Sequence, residues 1–159
     1  LDVHLMVEHP EDLIKPFADA GADGITFHVE AAEEPGLVID LIRSTNKQIG
    51  ISLKPQTPFS MIEPFLDQID LLLIMSVEPG FGGQKYIPSS TRKIKDIHQR
   101  LIKFGLRDRI LIEIDGGIKL TNAEEIAKAG AEILVAGSEI FQSENPVQTI
   151  QKFKALGVT

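Results

Sequence analysis

Short apolar runs rich in β-branched residues alternate along the whole chain with longer amphipathic segments. The apolar runs predict six strands, at residues 1–7, 24–30, 49–54, 71–77, 110–115 and 132–137. The amphipathic segments predict helices at residues 10–20, 36–46, 59–68, 88–104, 121–129 and 146–156. A series of strand–helix units predicts an α/β fold in which parallel strands are joined by right-handed crossovers.

The fifth predicted helix has clear boundaries in the sequence. Thr121-Asn122-Ala123-Glu124 has the pattern of a capping box, which predicts that the helix begins there. Gly130 predicts its end, because glycine readily adopts the backbone conformation that terminates helices. No linker or low-complexity tract interrupts the series of units, so we expect one domain spanning residues 1–159.

Polar side chains, together with one methionine, recur at every second position of three predicted strands, so each set shares one strand face. The sets are Asp2, His4 and Met6; Thr26, His28 and Glu30; and Glu113 with Asp115. Central strands of an open doubly wound sheet are covered on both faces and are apolar throughout. A polar face instead fits the lumen of a TIM (β/α)8 barrel, with functional groups at the C-terminal strand ends. Because such a barrel has eight units, we expect roughly 50–70 residues of a typical one to be missing here.

Composition and charge narrow the classes of function. The net charge of −7 argues against a nucleic-acid-binding surface and against binding to an anionic membrane. The chain has no cysteine, so any metal must be held by His, Asp or Glu. No apolar run has the length of a membrane-spanning helix, and the first residues lack the pattern of a signal peptide. We therefore expect a soluble cytoplasmic protein.

Glycines follow the last two predicted strands. Asp115-Gly116-Gly117 ends one strand and Gly137-Ser138 ends the next. In phosphate-binding barrels the loops after the last two strands offer backbone N–H groups to the anion, and glycine lets the backbone approach closely. The two motifs at consecutive strand ends therefore favour a phosphate site over ordinary tight turns.

A second glycine-rich loop, Gly80-Phe81-Gly82-Gly83, follows the fourth predicted strand. A loop of this composition can move over a ligand and offer its amides to it. A flexible connector with Phe81 packed against the barrel remains the alternative.

His4 and Asp115 are expected on the same lumen, where an imidazole and a carboxylate can hold a divalent cation. A hydrogen-bonded core histidine is the alternative for His4. Two ligands are too few for a tight site, and His28 and Glu30 are further candidates that fit equally well as structural polar groups. Met6 and Met75 are expected to line the lumen.

Five segments together resemble the ribulose-phosphate 3-epimerase family. They are Leu-Asp-Val-His-Leu-Met-Val at 1–7, Ile-Thr-Phe-His-Val-Glu at 25–30, Met-Ser-Val-Glu-Pro-Gly-Phe-Gly-Gly-Gln at 75–84, Ile-Asp-Gly-Gly-Ile at 114–118 and Val-Ala-Gly-Ser-Glu-Ile-Phe at 135–141. The resemblance implies a (β/α)8 barrel that interconverts D-ribulose 5-phosphate and D-xylulose 5-phosphate in the pentose phosphate pathway. It further implies acid/base catalysis by two carboxylates through a metal-stabilised enediolate, and a homo-oligomer.

The resemblance also implies roles for individual residues. His4 would be a metal ligand that contacts substrate, and Asp115 would be both a metal ligand and one catalytic carboxylate. Met6 and Met75 would lie against the reacting carbons. The ion would be zinc or iron(II), with manganese or cobalt also accepted. The implied substrate-binding residues are His4, Gly80, Phe81, Gly82, Gly83, Asp115, Gly116, Gly117, Gly137 and Ser138.

Two family features are missing from this sequence. The His-x-Asp-x-Met-Asp-Gly motif of the family's second strand, which supplies two metal ligands and the other catalytic aspartate, is absent, as is a serine of the first strand. The resemblance therefore implies that residues 1–159 form units three to eight, and we expect little or no epimerase activity from them alone.

Other functions remain open from the sequence. A D-allulose-6-phosphate 3-epimerase would share the metal, the mechanism and most motifs. An inactive barrel fragment would self-associate through its open edges. A simple phosphate-binding module would bind phosphate without metal dependence. The superfamily's decarboxylases and hexulose-phosphate synthases fit less well, because Lys54 lacks the aspartates of their Asp-x-Lys-x-x-x-Asp pattern.

Overall fold

The computed structural model describes residues 1–156 and contains one parallel sheet of six strands in the order β1 to β6, curled into a half-barrel. The strands are β1 (Asp2–Leu5), β2 (Gly24–His28), β3 (Gln48–Leu53), β4 (Leu71–Met75), β5 (Leu111–Asp115) and β6 (Ile133–Val135). The helices are α1 (Glu11–Asp19), α2 (Pro35–Ser44), α3 (Ser89–Phe104), α4 (Leu120–Ala129), α5 (Gly137–Phe141) and α6 (Pro146–Ala155). The predicted α/β class and parallel strands are thus confirmed.

The apolar core lies between the outer face of the sheet and the helices. Ile25, Phe27, Ile112 and Ile114 point from the strands into this layer and are fully buried. Helix α3 presents a matching stripe, since its buried residues Ser90, Ile94, Ile97 and Leu101 recur at helical spacing. The inner face of the sheet therefore carries the alternate residues of each strand, as the polar pattern predicted.

The predicted helix at 59–68 is wrong in type. Two short 3-10 helices, Phe59–Met61 and Glu63–Gln68, occupy this segment. Pro64 lies in its middle, has no N–H to donate, and would collide with the preceding turn of a continuous α-helix. The chain still crosses from β3 to β4 there, with Ile62 and Leu66 buried in the core.

Helix α4 begins one residue before the predicted capping box. Lys119 is its N-cap, and the Asn122 side chain accepts from the Lys119 N–H at 2.8 Å. Asn122 therefore takes the part expected of Glu124, whose carboxylate pairs with Lys128 instead. The predicted end is confirmed, because Gly130 is the C-cap with φ of +120°.

Four predicted strands, β1, β2, β4 and β6, end two residues early, and β3 ends one residue early. Strand β2 stops at His28, and Glu30 lies in a 3-10 helix formed by Val29–Ala31. Strand β6 stops at Val135, opposite Asp115 at the end of β5, and Gly137 already belongs to α5. A strand continues only while a neighbour offers backbone partners, and β5 offers none beyond Asp115. Within residues 1–156, no helix has the length and apolar character needed to cross a membrane.

Candidate active site

The predicted site residues gather at the C-terminal ends of the strands, around one cavity of about 240 Å³. The cavity is lined by, among others, Met6, Met75, Gly80, Phe81, Gly82, Gly83, Asp115, Gly116, Gly117, Gly137 and Ser138. His4 lies beside it, with its Nδ1 atom 3.9 Å from Oδ2 of Asp115. Four strands and the loops that follow them thus bring the two predicted metal ligands and all three glycine-containing segments together.

Asp115 occupies the centre of this arrangement. It is the last residue of β5 and pairs with Met75 on one side and Val135 on the other. Burial raises the pKa of its carboxyl group above the usual range, although the Gly116 N–H and the nearby His28 ring oppose that change. A half-buried carboxylate with a raised pKa is suited to accept and return a proton near neutral pH.

The imidazole rings of His4 and His28, on neighbouring strands, meet through their Nε2 atoms. Their ring centroids are 4.9 Å apart and their Nε2 atoms are 2.9 Å apart. Burial and the second imidazole lower the pKa of His4 to about 4. His4 is therefore neutral at physiological pH and carries a ring lone pair, which metal binding requires.

Glu30 contacts the His28 ring nitrogen that does not face His4. Its Oε2 atom lies 3.3 Å from Nδ1 of His28, and its Oε1 atom accepts from the Lys54 N–H at 2.8 Å. Burial raises the pKa of Glu30, but hydrogen bonds from His28, Thr57 and the Lys54 amide outweigh that effect and hold the pKa at about 2. Glu30 is thus a permanent carboxylate.

The turn after β5 depends on glycine. Gly117 has φ of +63°, and a Cβ atom there would lie 2.3 Å from the backbone nitrogen of Tyr86. Ser76 donates its hydroxyl to this turn, with Oγ 2.6 Å from the Gly116 carbonyl oxygen, and Asn122 Nδ2 donates to the Gly117 carbonyl at 3.1 Å. Sequence reasoning missed Ser76 and Asn122, and only their positions directly after β4 and at the start of α4 could have indicated them.

The loop after β4 is closed on itself by one side chain. Gln84 donates its amide to the carbonyl oxygens of Glu78 at 2.6 Å and of Phe81 at 2.9 Å. The Phe81 side chain projects outward and is 85% exposed, so it is not packed against the barrel. The alternative of a connector anchored by Phe81 is therefore wrong. In the sequence, only the position of Gln84 directly after the glycine run could have indicated that it shapes this loop.

Glu113 lies on the same inner face as Asp115, two positions earlier on β5. It is 3% exposed, and its Oε2 atom has no hydrogen-bond partner among the described residues. Burial and the carboxylates of Asp2 and Asp115 raise the pKa of Glu113 to about 8. Three carboxyl groups therefore crowd the inner face and disfavour one another's ionised forms, which a nearby cation would instead stabilise.

His4 and Asp115 fit a divalent ion as two of its ligands. Two donor atoms at roughly 2.0–2.2 Å from one tetrahedral ion lie about 3.3–3.6 Å apart, so the separation of 3.9 Å would have to close by a few tenths of an ångström on binding. A neutral imidazole nitrogen and a carboxylate oxygen are also the donor types that zinc and iron accept. Residues 1–156 contain no cluster of three or more such side chains placed to share an ion.

Comparison with solved structures supports the barrel-like fold. The structure matches 3-hexulose-6-phosphate synthase with a TM-score of 0.67, covering 94% of this chain and 69% of that one at 18% identity. It matches KGPDC from Streptococcus mutans with a TM-score of 0.68, covering 92% and 66% at 20% identity. At these identities the likeness concerns the fold alone.

Sequence comparison is more specific. The chain is 40% identical over 155 residues to ribulose-phosphate 3-epimerase of Escherichia coli K12, covering 98% of this chain and 68% of that protein. The same enzyme of Bacillus subtilis is 42% identical over 154 residues, covering 97% and 70%. The model of the ribulose-phosphate 3 epimerase family matches residues 1–141. The chain therefore belongs to the ribulose-phosphate 3-epimerase family of enzymes.

Proposed function

We propose that the protein interconverts D-ribulose 5-phosphate and D-xylulose 5-phosphate by inverting C3 of the ketopentose phosphate. The observation that carries this proposal is the position of the Asp115 carboxylate, which lines the cavity between His4 and the glycine turns. Membership of the family agrees with this substrate. Inversion next to a carbonyl requires a group that removes the C3 proton, and Asp115 is placed for that task on one face.

Asp115 takes the proton from C3 on one face, which leaves an enediolate, and a second carboxylate returns a proton on the other face. Its raised pKa brings its basicity closer to what proton transfer at neutral pH needs. Met6 and Met75 line the cavity and present polarisable, water-excluding surface to the reacting carbons. Exclusion of water protects the enediolate from side reactions.

The glycine turns bind the phosphate end of the substrate. Gly116, Gly117, Gly137 and Ser138 line one side of the cavity, and a backbone without side chains there leaves N–H groups accessible to an anion. The loop Gly80–Gly83 also lines the cavity, and the Phe81 side chain is exposed to solvent. Its closure over bound substrate would complete the cavity.

His4 and Asp115 would hold one divalent ion, zinc or iron(II), with manganese or cobalt as alternatives. Such an ion supplies positive charge where negative charge develops on the substrate oxygens during enolisation. His4 would bind the ion through a neutral ring and would also orient the substrate, while Asp115 carries the proton. Further ligands are expected from outside residues 1–156, because no third side chain of those residues joins these two in a group that could hold an ion.

We further propose that the six strands occupy positions three to eight of an eight-stranded barrel, as one domain. The chain spans 68% of the length of the E. coli relative, and β1 and β6 are the two edges of the sheet. Two more strand–helix units would join these edges and bring the second carboxylate. For this reason residues 1–159 alone are expected to show little or no turnover, whereas the full-length protein is expected to be active.

The experiment is a comparison of kcat/KM for D-ribulose 5-phosphate and D-allulose 6-phosphate, using the full-length protein loaded with Zn²⁺ or Fe²⁺. The proposal predicts a clear preference for the pentulose phosphate. A preference for the hexulose phosphate would contradict the proposed substrate but agree with the proposed inversion at C3. Phosphate binding without any epimerisation would contradict the function as a whole.

A further inference from the structure

We propose that His28 and Glu30 are positioning residues that set the ring tautomer of His4 and aim its Nδ1 lone pair at Asp115. This inference rests on the proposed function in one respect, namely that His4 and Asp115 share an ion. Among the described residues, neither His28 nor Glu30 joins His4 and Asp115 in a group of three side chains that could hold an ion. Their contribution is therefore to the orientation of His4.

The contacts form a continuous chain across three strands. The Lys54 N–H, after β3, donates to Oε1 of Glu30 at 2.8 Å. Oε2 of Glu30 lies 3.3 Å from Nδ1 of His28, and Nε2 of His28 lies 2.9 Å from Nε2 of His4. The remaining ring nitrogen, Nδ1 of His4, faces the Asp115 carboxylate. Glu30 and His28 thus each connect two neighbours in this series, and His4 ends it beside Asp115.

The hydrogen-bond roles follow from the carboxylate end. Glu30 is ionised and can only accept, so Nδ1 of His28 must carry the hydrogen. Nε2 of a neutral His28 is then an acceptor, and Nε2 of His4 must donate to it. His4 is left with its lone pair on Nδ1, the atom that faces Asp115. A metal-binding histidine commonly has its other ring nitrogen fixed by an outer partner in this way.

The far end of the chain of contacts is anchored by a partly buried lysine. Lys93 of α3 donates its ammonium group to the carbonyl oxygens of Lys54 at 2.7 Å and Thr57 at 2.7 Å. The segment that presents the Lys54 N–H to Glu30 is thereby tied to a long helix. His28 is 3% exposed on a central strand, so its ring has little freedom to turn. A packing role for His28 alone would not require this ordered set of donors and acceptors.

The first test needs no metal. Nitrogen–proton correlation spectra of the metal-free full-length protein, recorded at a pH where both rings are neutral, distinguish the two imidazole tautomers. The inference predicts hydrogen on Nε2 of His4 and on Nδ1 of His28. Hydrogen on Nδ1 of His4 would overturn it, whatever the protein's activity.

The second test measures Co²⁺ affinity of the full-length protein by the visible absorption of the bound ion. His28→Leu keeps the volume, removes the acceptor for His4, and is expected to raise the Kd about 10- to 100-fold. His28→Gln offers an amide oxygen as acceptor and is expected to recover most of the affinity. Glu30→Gln, at a half-buried site, removes the carboxylate that sets the tautomers and is expected to weaken binding less than His28→Leu.

Ser52→Ala is the matched control. Ser52 pairs with His28 in the sheet, is fully buried, and its hydroxyl has no partner among the described residues. Its removal should leave the Kd for Co²⁺ unchanged. A folded His28→Leu variant with the wild-type Kd and spectrum would overturn the inference. If wild-type protein binds no Co²⁺, the proposed metal is contradicted instead, and the tautomers of the metal-free protein decide the inference.

Discussion

The part of the site at the ends of β1 and β2 is built from side chains that lie beside the cavity, whereas the cavity wall at the ends of β4 to β6 consists largely of glycine-rich backbone. On the first side, His4, His28 and Glu30 hold one another through ring and carboxylate contacts. On the second side, the Gly116–Gly117 turn is held by Ser76 and Asn122, which donate to its main-chain carbonyls. Proton and metal chemistry need particular functional groups, but an anion needs only N–H groups in the right shape. The two sides should therefore respond to different kinds of substitution.

Asp115 belongs to both sides, and its loss should have the largest effect. Asp115→Asn keeps the shape but removes the base, so kcat of the full-length protein should fall about a thousandfold. The decrease is measured by conversion of D-ribulose 5-phosphate, with circular dichroism to verify the fold. Asp67→Asn, at an exposed carboxylate away from the cavity, is the control. Retention of more than a tenth of the activity would exclude Asp115 as the base.

Gly117→Ala should disrupt the turn after β5, which belongs to the backbone part of the site. The substitution places a Cβ atom at φ of +63° and 2.3 Å from the Tyr86 nitrogen, so the turn must shift. We expect a loss of about 2–4 kcal/mol in unfolding free energy from the strained backbone and overpacking together. Urea unfolding measures the change. Gly82→Ala is the matched control, because a Cβ atom there meets nothing within 4 Å, and equal losses in both variants would contradict this explanation of the turn.

Glu113→Gln tests the charge of the inner face through pH. The pKa of Glu113 is about 8 in the folded protein, against 4.5 ordinarily. Between these values the folded state holds a proton that the unfolded state lacks, so stability falls as pH rises through this range. In metal-free protein above pH 8, Glu113→Gln should be more stable than wild type by about 1–3 kcal/mol. Urea unfolding at a series of pH values between the two pKa values and above the higher one checks this, with the exposed Glu144→Gln as control, and an unchanged pH slope between them would contradict it.

Phe81→Ala should have the smallest effect on stability. The side chain is 85% exposed, so the free energy of unfolding should change by less than about 0.5 kcal/mol. If the loop closes over substrate, Phe81→Ala should raise KM for D-ribulose 5-phosphate several-fold. Phe141→Ala, at a side chain that is 82% exposed on α5 and outside the cavity lining, is the control. Equal KM values in the two variants would argue against closure.

The sequence predicted those parts of the molecule that depend on periodicity. The alternation in β1, β2 and β5 correctly placed His4, His28 and Asp115 on one face, because side chains of a strand repeat every two residues. Hydrogen bonds between loops have no such period. Ser76, Asn122 and Gln84 hold the glycine turns, and nothing in their local sequence specifies which carbonyl each would reach.

The errors in the elements have the same origin. Pro64 interrupts the α-helix that hydropathy predicts at residues 59–68. Strand β6 ends at Val135, because β5 offers it no backbone partner beyond Asp115. The pairing of the two imidazoles also escaped prediction. His4 and His28 are 24 residues apart, and only the parallel register of β1 and β2 brings their rings into contact.

The central claim is that Asp115 moves the C3 proton of a ketopentose phosphate, and solvent exchange tests it most directly. Full-length protein is incubated with D-ribulose 5-phosphate in D₂O, and both ketoses are examined by proton NMR. We expect deuterium at C3 of D-xylulose 5-phosphate and of recovered substrate, with exchange greatly slowed in Asp115→Asn. Product that retains its C3 proton, or exchange that proceeds equally in Asp115→Asn, would contradict the claim.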